Sequence, residues 1–133
     1  DLSNLEEIIE KFRLNKLNLS KSKFLVDAPY KLGNSDYMLQ ITDLDLNSNK
    51  IENDEATALA KSNYLNNLTS LNLSQNKILA KGVESIANSK YLSNLTFLNL
   101  AENSISGDGA KYLGESKFFN KLTNLDLSRC TIG

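Results

Sequence analysis

A unit of 27 residues recurs along the chain and constrains the fold more than any other feature of the sequence. Copies of one short stretch begin 27 residues apart, at Leu14, Ile41, Leu68, Leu95 and Leu122. The copies read LNKLNLSKSKF, ITDLDLNSNKI, LTSLNLSQNKI, LTFLNLAENSI and LTNLDLSRCTI. Five copies in register without an insertion or deletion do not arise by chance. We therefore expect one structural unit to recur in every copy.

Alternating leucines within each copy predict a short strand. In Leu71-Asn72-Leu73 the apolar residues recur with period 2, so the leucines lie on one face of the strand. A lone repeat cannot bury these leucines, but neighbouring repeats bury them for each other. We therefore expect Leu44, Leu71, Leu98 and Leu125 to lie side by side in one continuous interior.

The pattern L-x-x-L-x-L-x-x-N/C-x-L resembles that of the leucine-rich repeat family over residues 14–133. The 27-residue period is similar to that of the ribonuclease-inhibitor-like class, and NSISGDGAKYL resembles repeat proteins of intracellular bacteria, some of which are delivered into host cells. The resemblance implies an α/β leucine-rich repeat solenoid. Such a fold is a fragment of a right-handed horseshoe, with parallel strands on the concave face and helices on the convex face.

Residues 1–133 are interpreted as one leucine-rich repeat domain. Its parts are a capping helix or the end of a preceding repeat over 1–13, repeats over 14–40, 41–67, 68–94 and 95–121, and a partial repeat over 122–133. Because the chain has no initiator Met and stops within a repeat, we expect it to be a fragment of a longer solenoid.

Helix starts differ from one repeat to the next. In the first repeat, Asp27 and Pro29 predict a helix that runs to about Leu39. In the second, Asp54 is the expected N-cap. In the third, Lys81-Gly82 replaces an acidic cap, so that helix should begin weakly.

Two further columns of residues share the 27-residue period. Small residues mark where each helix should approach the sheet, at Ala60, Ala87 and Gly114. Aromatic residues form the other column, at Tyr37, Tyr64, Tyr91 and Phe118. An aromatic column can serve as a stacking platform for nucleobases, but packing of the rings at the helix C-terminal ends is the favoured interpretation.

The ninth position of the last four copies predicts a structural ladder, formed by Asn49, Asn76, Asn103 and Cys130, while Ser22 stands there in the first copy. There the chain turns away from the sheet, and a buried amide can bond backbone groups that would otherwise be orphaned. Cys130 occupies the same position and is expected to be a buried structural thiol. The chain has no second cysteine for a disulfide and no histidine to activate a thiolate.

The polar residues between the leucines should form the concave face, the surface that the family resemblance associates with partner binding. The candidate partner-binding residues are Phe97, Asp43, Asp45, Asn72, Asn99 and Asp126. Phe97 is the candidate hot spot; alternatively it covers neighbouring backbone or contacts chain beyond these residues. Asp43 and Asp45 alone supply too few oxygen ligands for a cation site.

No motif for chemistry is present. The sequence has no Gly-rich phosphate loop, no His/Cys metal cluster and no nucleophile–base pair, so we expect no enzymatic activity, cofactor or metal. A net charge of −1 with scattered basic residues argues against a nucleic-acid partner. No apolar run approaches the ~20 residues that span a bilayer. One cysteine favours the cytoplasm or the interior of a host cell over a disulfide-forming extracellular compartment.

The sequence therefore predicts a protein–protein interaction scaffold. One alternative is the substrate-recognition part of a larger bacterial effector enzyme, with its catalytic domain outside this chain; another is a structural spacer. The open last strand also predicts possible end-to-end self-association, since an uncovered sheet edge can pair with another chain.

Overall fold

The computed structural model describes residues 2–23 and 27–131, which form a parallel sheet backed by helices. The five strands follow chain order and are β1 Lys16–Asn18, β2 Asp43–Asp45, β3 Ser70–Asn72, β4 Phe97–Asn99 and β5 Asn124–Asp126. Every neighbouring pair is offset by one repeat, so Leu17, Leu44, Leu71, Leu98 and Leu125 align across the sheet. The predicted α/β leucine-rich repeat solenoid is confirmed.

Helices alternate with the strands. They are α1 Leu5–Phe12, α2 Ala28–Gly33, α3 Asn53–Ala60, α4 Ala80–Ala87 and α5 Ser106–Gly114. Short 3₁₀ helices follow α2, α3 and α4, at Asp36–Gln40, Asn63–Leu65 and Lys90–Leu92. From α2 to α5 each helix packs on the next, in the same order as the strands. None of the helices in the described part of the chain has the length and apolarity to cross a bilayer.

The core lies between the sheet and the helices and continues from repeat to repeat. Leu44 and Leu98 are fully buried from the strands, and Ile86 from α4 is 1% exposed. At the first end of the core, Ile9 of α1 is fully buried. At the other end, Leu125 keeps its register but is 38% exposed. The burial of a repeat thus depends on the neighbour on each side.

Two predictions about helices are wrong. The helix expected to reach Leu39 ends at Gly33, because Ser35 has an extended backbone and a 3₁₀ helix follows it. The N-cap of α3 is Glu52 and not Asp54, which lies in the first turn. The Glu55 carboxylate accepts a hydrogen bond of 2.9 Å from the Glu52 N–H. This bond satisfies one backbone N–H at the start of α3.

The two periodic columns keep their register but differ from expectation in detail. Ala60 and Ala87 are buried, whereas Gly114 is exposed and has no atom within 4 Å of where a Cβ would lie. Gly114 differs because α5 packs on α4 on one side only among the described helices. Tyr64 and Tyr91 lie half-buried on the 3₁₀ helices and not at α-helix ends.

Candidate partner-binding surface

The open face of the sheet, away from the helices, carries two rows of side chains. Residues i and i+2 of a strand point to the same side, while the leucine between them enters the core. The first row consists of Lys16, Asp43, Ser70, Phe97 and Asn124. The second row consists of Asn18, Asp45, Asn72, Asn99 and Asp126. The structure therefore places all six candidate binding residues on one surface.

The second row is engaged in holding its own turns. Asn72 Oδ1 accepts a hydrogen bond of 3.0 Å from the Ser74 N–H and one of 2.7 Å from the Ser74 hydroxyl. The corresponding backbone bond recurs at Asn18, Asp45, Asn99 and Asp126, each to the N–H two residues later. These Asx turns direct the chain out of the strand. Four of the six candidates thus have a structural role that sequence reasoning missed, although an Asn or Asp at the end of every strand is the signal for it.

Hydrogen bonding also lowers the pKa of Asp126 in this row. The backbone N–H of Ser128 donates to the Asp126 carboxylate at 2.9 Å. This bond and the Ser128 hydroxyl hold the pKa of Asp126 below its ordinary value of 3.8. Hydrogen bonds to a carboxylate favour the charged form, so the face keeps this negative charge over a wider pH range.

The side chains of the first row do not accept hydrogen bonds from the following turns in this way. The Asp43 carboxylate makes no hydrogen bond or ion pair to any described residue. Phe97 is half-buried, yet it is not among the described side chains that pack against the core. Its register neighbours, Ser70 and Asn124, have small side chains. Asp43 and Phe97 are therefore the two candidates whose side chains a partner could contact without displacing a hydrogen bond within the described part of the fold.

Asn76 links its own loop to the loop of the preceding repeat. Its Oδ1 accepts hydrogen bonds of 2.9 Å from the backbone N–H groups of Asn49 and Ile51, in the preceding repeat. Its Nδ2 donates to the carbonyl oxygens of Leu46 and Leu73 at 3.1 and 2.9 Å. Nδ2 also lies 3.1 Å from the Ser74 carbonyl oxygen. A buried amide that satisfies five backbone groups fixes the spacing between repeats, which makes the open face a rigid surface.

The other ladder residues, Asn49, Asn103 and Cys130, make some of the hydrogen bonds that Asn76 makes. Asn49 and Asn103 each donate to a carbonyl oxygen of the preceding repeat, at 2.9 and 3.0 Å. The Cys130 thiol donates to the Leu100 carbonyl oxygen at 3.1 Å, which is the corresponding acceptor. Cys130 is half-buried and not fully buried as predicted, because the last described loop has no following repeat packed on it.

Comparison with known proteins agrees with this geometry. A family model described as "Leucine Rich repeat" matches residues 41–60, 64–87 and 91–114, which together make up more than half of the chain. The chain belongs to the leucine-rich repeat family. Among solved structures, the repeat domain is similar to "Leiomodin-1 Actin-Binding Site 2 (ABS2)", with 20% sequence identity and a TM-score of 0.70. That match covers 95% of this chain and 78% of the other, and it shows a shared fold. No curated protein sequence matches the chain.

A second ladder of this leucine-rich repeat domain was not predicted from the sequence. Serine hydroxyls on the helix side each donate to a carbonyl oxygen of the preceding repeat, from Ser62 to Gly33, Ser89 to Ala60 and Ser116 to Ala87. The small-residue column thus marks the acceptors of a serine ladder. The 27-residue spacing of these serines was the available signal.

Polar side chains also run along one rim of the repeat sheet. The Ser48 hydroxyl donates to Gln75 Oε1 at 2.7 Å, and Gln75 Nε2 lies 3.3 Å from Glu102 Oε1. Arg129 Nη1 lies 3.7 Å from the same oxygen. No group of three or more His, Cys, Asp or Glu side chains that could hold a metal ion occurs within residues 2–23 and 27–131. The rim is thus a row of polar contacts that runs through Ser48, Gln75, Glu102 and Arg129.

Proposed function

We propose that this leucine-rich repeat domain is a protein–protein interaction scaffold that binds its partner on the open face of the sheet. The observation that carries the proposal is the contrast between the two rows. Asn72 and its equivalents hold turns, whereas Asp43 and Phe97 have uncommitted side chains on a frame fixed by Asn76. A rigid surface with a half-buried, accessible aromatic ring among small polar residues is typical of a binding hot spot.

The similarity to a solved domain supports the same class of function. The leiomodin-1 domain is described as an actin-binding site, so a fold of this kind can serve as a protein-binding surface. For this chain we propose only that the partner is a protein. No catalytic step is proposed, and an enzyme that uses this domain to recognise its substrate would require catalytic residues outside this chain.

Affinity capture tests the proposal directly. The immobilised domain is incubated with a cell lysate, with purified actin as a separate sample, and bound proteins are identified by mass spectrometry. We expect the wild type to retain one or more proteins that Phe97→Ala loses. The matched control is Tyr91→Ala, which removes an equally half-buried aromatic ring from the helix side.

Three results are distinguishable. Loss with Phe97→Ala and retention with Tyr91→Ala would support the open face. Equal retention by both variants would move the binding site elsewhere. Capture of no protein by the wild type would favour a structural spacer. Melting curves of the variants confirm that each one is folded before its binding is compared.

A further inference from the structure

We infer that the partner presents a positively charged side chain and an apolar side chain about 10 Å apart on a helix that lies across the strands. This inference rests on the proposed function and adds the chemistry of the partner. It follows from the charge of the two rows together, the position of Phe97 and the spacing of the strands.

The charge of the open face favours a cationic group. Its two rows contain Asp43, Asp45 and Asp126 against a single basic residue, Lys16. Asp43 and Asp45 alternate on β2 and lie about 7 Å apart on the same face. Because the Asp43 carboxylate has no described partner of its own, a lysine or arginine of a partner can bind it without displacing an existing contact.

The occupant of this acidic site is a side chain and not a metal ion. A hard cation takes six or more oxygen ligands, and no cluster of three candidate ligands is present in the described part of the chain. One oxygen of Asp45 already accepts the Asn47 N–H at 2.9 Å. The remaining oxygens suit a guanidinium or ammonium group.

The apolar contact is Phe97. Its register neighbours are Ser70 on one side and Asn124 on the other, so an apolar side chain can approach its ring from either side. Aromatic residues in such positions contribute a large share of binding energy in protein interfaces.

The strand spacing sets the separation between the two contacts. Asp43 pairs with Ser70 and Ser70 with Phe97, so two strand spacings, about 10 Å, separate Asp43 from Phe97. On an α-helix, residues seven apart lie on one face about 10.5 Å from each other. In an extended segment, same-face residues are about 7 or 13 Å apart, which fits less well. A helix lying across the strands therefore matches both contacts at once.

A displayed library of helical peptides tests this inference with a defined probe. Two positions seven residues apart are randomised on an alanine-rich helix, and a second library randomises positions three apart. Peptides are selected on the wild-type chain after depletion on Phe97→Ser. We expect enrichment of Arg or Lys at one position and an apolar residue at the other, in the seven-spaced library only.

Binding of a selected peptide to variants then assigns each contact. We expect affinity to fall about tenfold with Asp43→Asn and with Phe97→Ser, as for a hot-spot residue. Glu84→Gln and Tyr91→Ser, on the helix side, should leave it unchanged. Asp43→Asn preserves the side-chain shape and breaks no described bond, so its result does not depend on a change in folding. Asp43→Lys should select acidic residues in place of basic ones.

The outcomes separate this inference from the proposed function. Selected peptides that depend on Phe97 but are acidic, or that come equally from the three-spaced library, would overturn the inference and leave the open face as a binding site. A selection that yields no peptide sensitive to Asp43 or Phe97 would overturn the inference alone, whereas equal capture of proteins by the wild type and Phe97→Ala would overturn the proposed function as well.

Discussion

The side-chain oxygen of Asn53 lies 3.0 Å from the backbone nitrogen of Gly82, which belongs to the next repeat. The same oxygen accepts a hydrogen bond of 2.9 Å from the Leu79 N–H. The first N–H groups of a helix have no partner within the helix, and Leu79, the N-cap of α4, supplies no side-chain bond. A residue of α3 therefore caps α4, which explains how α4 forms despite its weak start.

Gly82→Ala should destabilise the chain. A Cβ at this position would lie 2.8 Å from Asn53 Oδ1 and 2.8 Å from Ile78 Cγ2. Glycine to alanine in a helix normally stabilises by up to about 1 kcal/mol. Here displacement of the cap and overpacking should outweigh that gain, for a net loss of about 1–2 kcal/mol in the free energy of unfolding. Denaturant-induced unfolding measures the change.

Two variants provide the controls for Gly82→Ala. Gly114→Ala adds a Cβ that meets no atom within 4 Å, so it should be neutral or slightly stabilising. Asn53→Ala removes the cap, and Gly82→Ala should cost less in that background because part of the clash has been removed. Additive effects of the two substitutions would contradict the capping role of Asn53.

Asn76→Ala should be among the most damaging single substitutions. It leaves the buried N–H groups of Asn49 and Ile51 without their acceptor. An unsatisfied buried donor costs about 1–3 kcal/mol, so the free energy of unfolding should fall by at least that amount. The control is Asn66→Ala, at an exposed position. A melting curve unchanged by Asn76→Ala would show that the amide does not link the loops.

Cys130→Asn should stabilise the chain. The Cys130 thiol makes one bond, to the Leu100 carbonyl oxygen. An asparagine amide could also reach the N–H groups of Asn103 and Ile105, the equivalents of those that Asn76 binds in the preceding repeat. At about 1 kcal/mol for a net hydrogen bond, thermal unfolding should shift to higher temperature. Cys130→Ser, which keeps a single donor, should have a smaller effect, and equal effects would argue against this explanation.

The repeat pattern predicts what each copy shares, and it fails where a residue depends on its neighbours. The leucine at Leu71 recurs in every repeat and the asparagine at Asn76 in three of the four full repeats, so strand, core and ladder could be derived from their spacing alone. Asn53 has no counterpart in the next repeat, where Ala80 stands at the same position, so no periodic signal indicates its contact with Gly82. Gly114 follows the small-residue column and is nevertheless exposed, because burial requires a further packed repeat.

The separation of the two surface rows could be predicted only in part. Asp43 and Asp45 alternate with leucine in the same way, and the spacing predicts the same face for both. Their difference arises after the strand, where the chain turns and brings the Asn47 N–H to 2.9 Å from Asp45. Asp43 lies too early in the strand to reach that turn. The turn therefore separates candidates whose side chains hold a turn, such as Asp45, from candidates whose side chains have no described bond, such as Asp43.

Acid should remove the contribution of the last Asx turn. Because the pKa of Asp126 is lower in the folded chain than its ordinary value of 3.8, its ionised form stabilises the fold above the unfolded pKa, and this contribution is lost as the pH falls through the lowered value. The carboxyl ¹³C shift of Asp126, followed by NMR from about pH 6 to 2, should give a midpoint below that of the same residue in an unfolded peptide. Ser128→Ala removes the hydroxyl but keeps the N–H, so it should raise the pKa only part of the way. A midpoint at or above the peptide value would show that the turn does not hold the carboxylate.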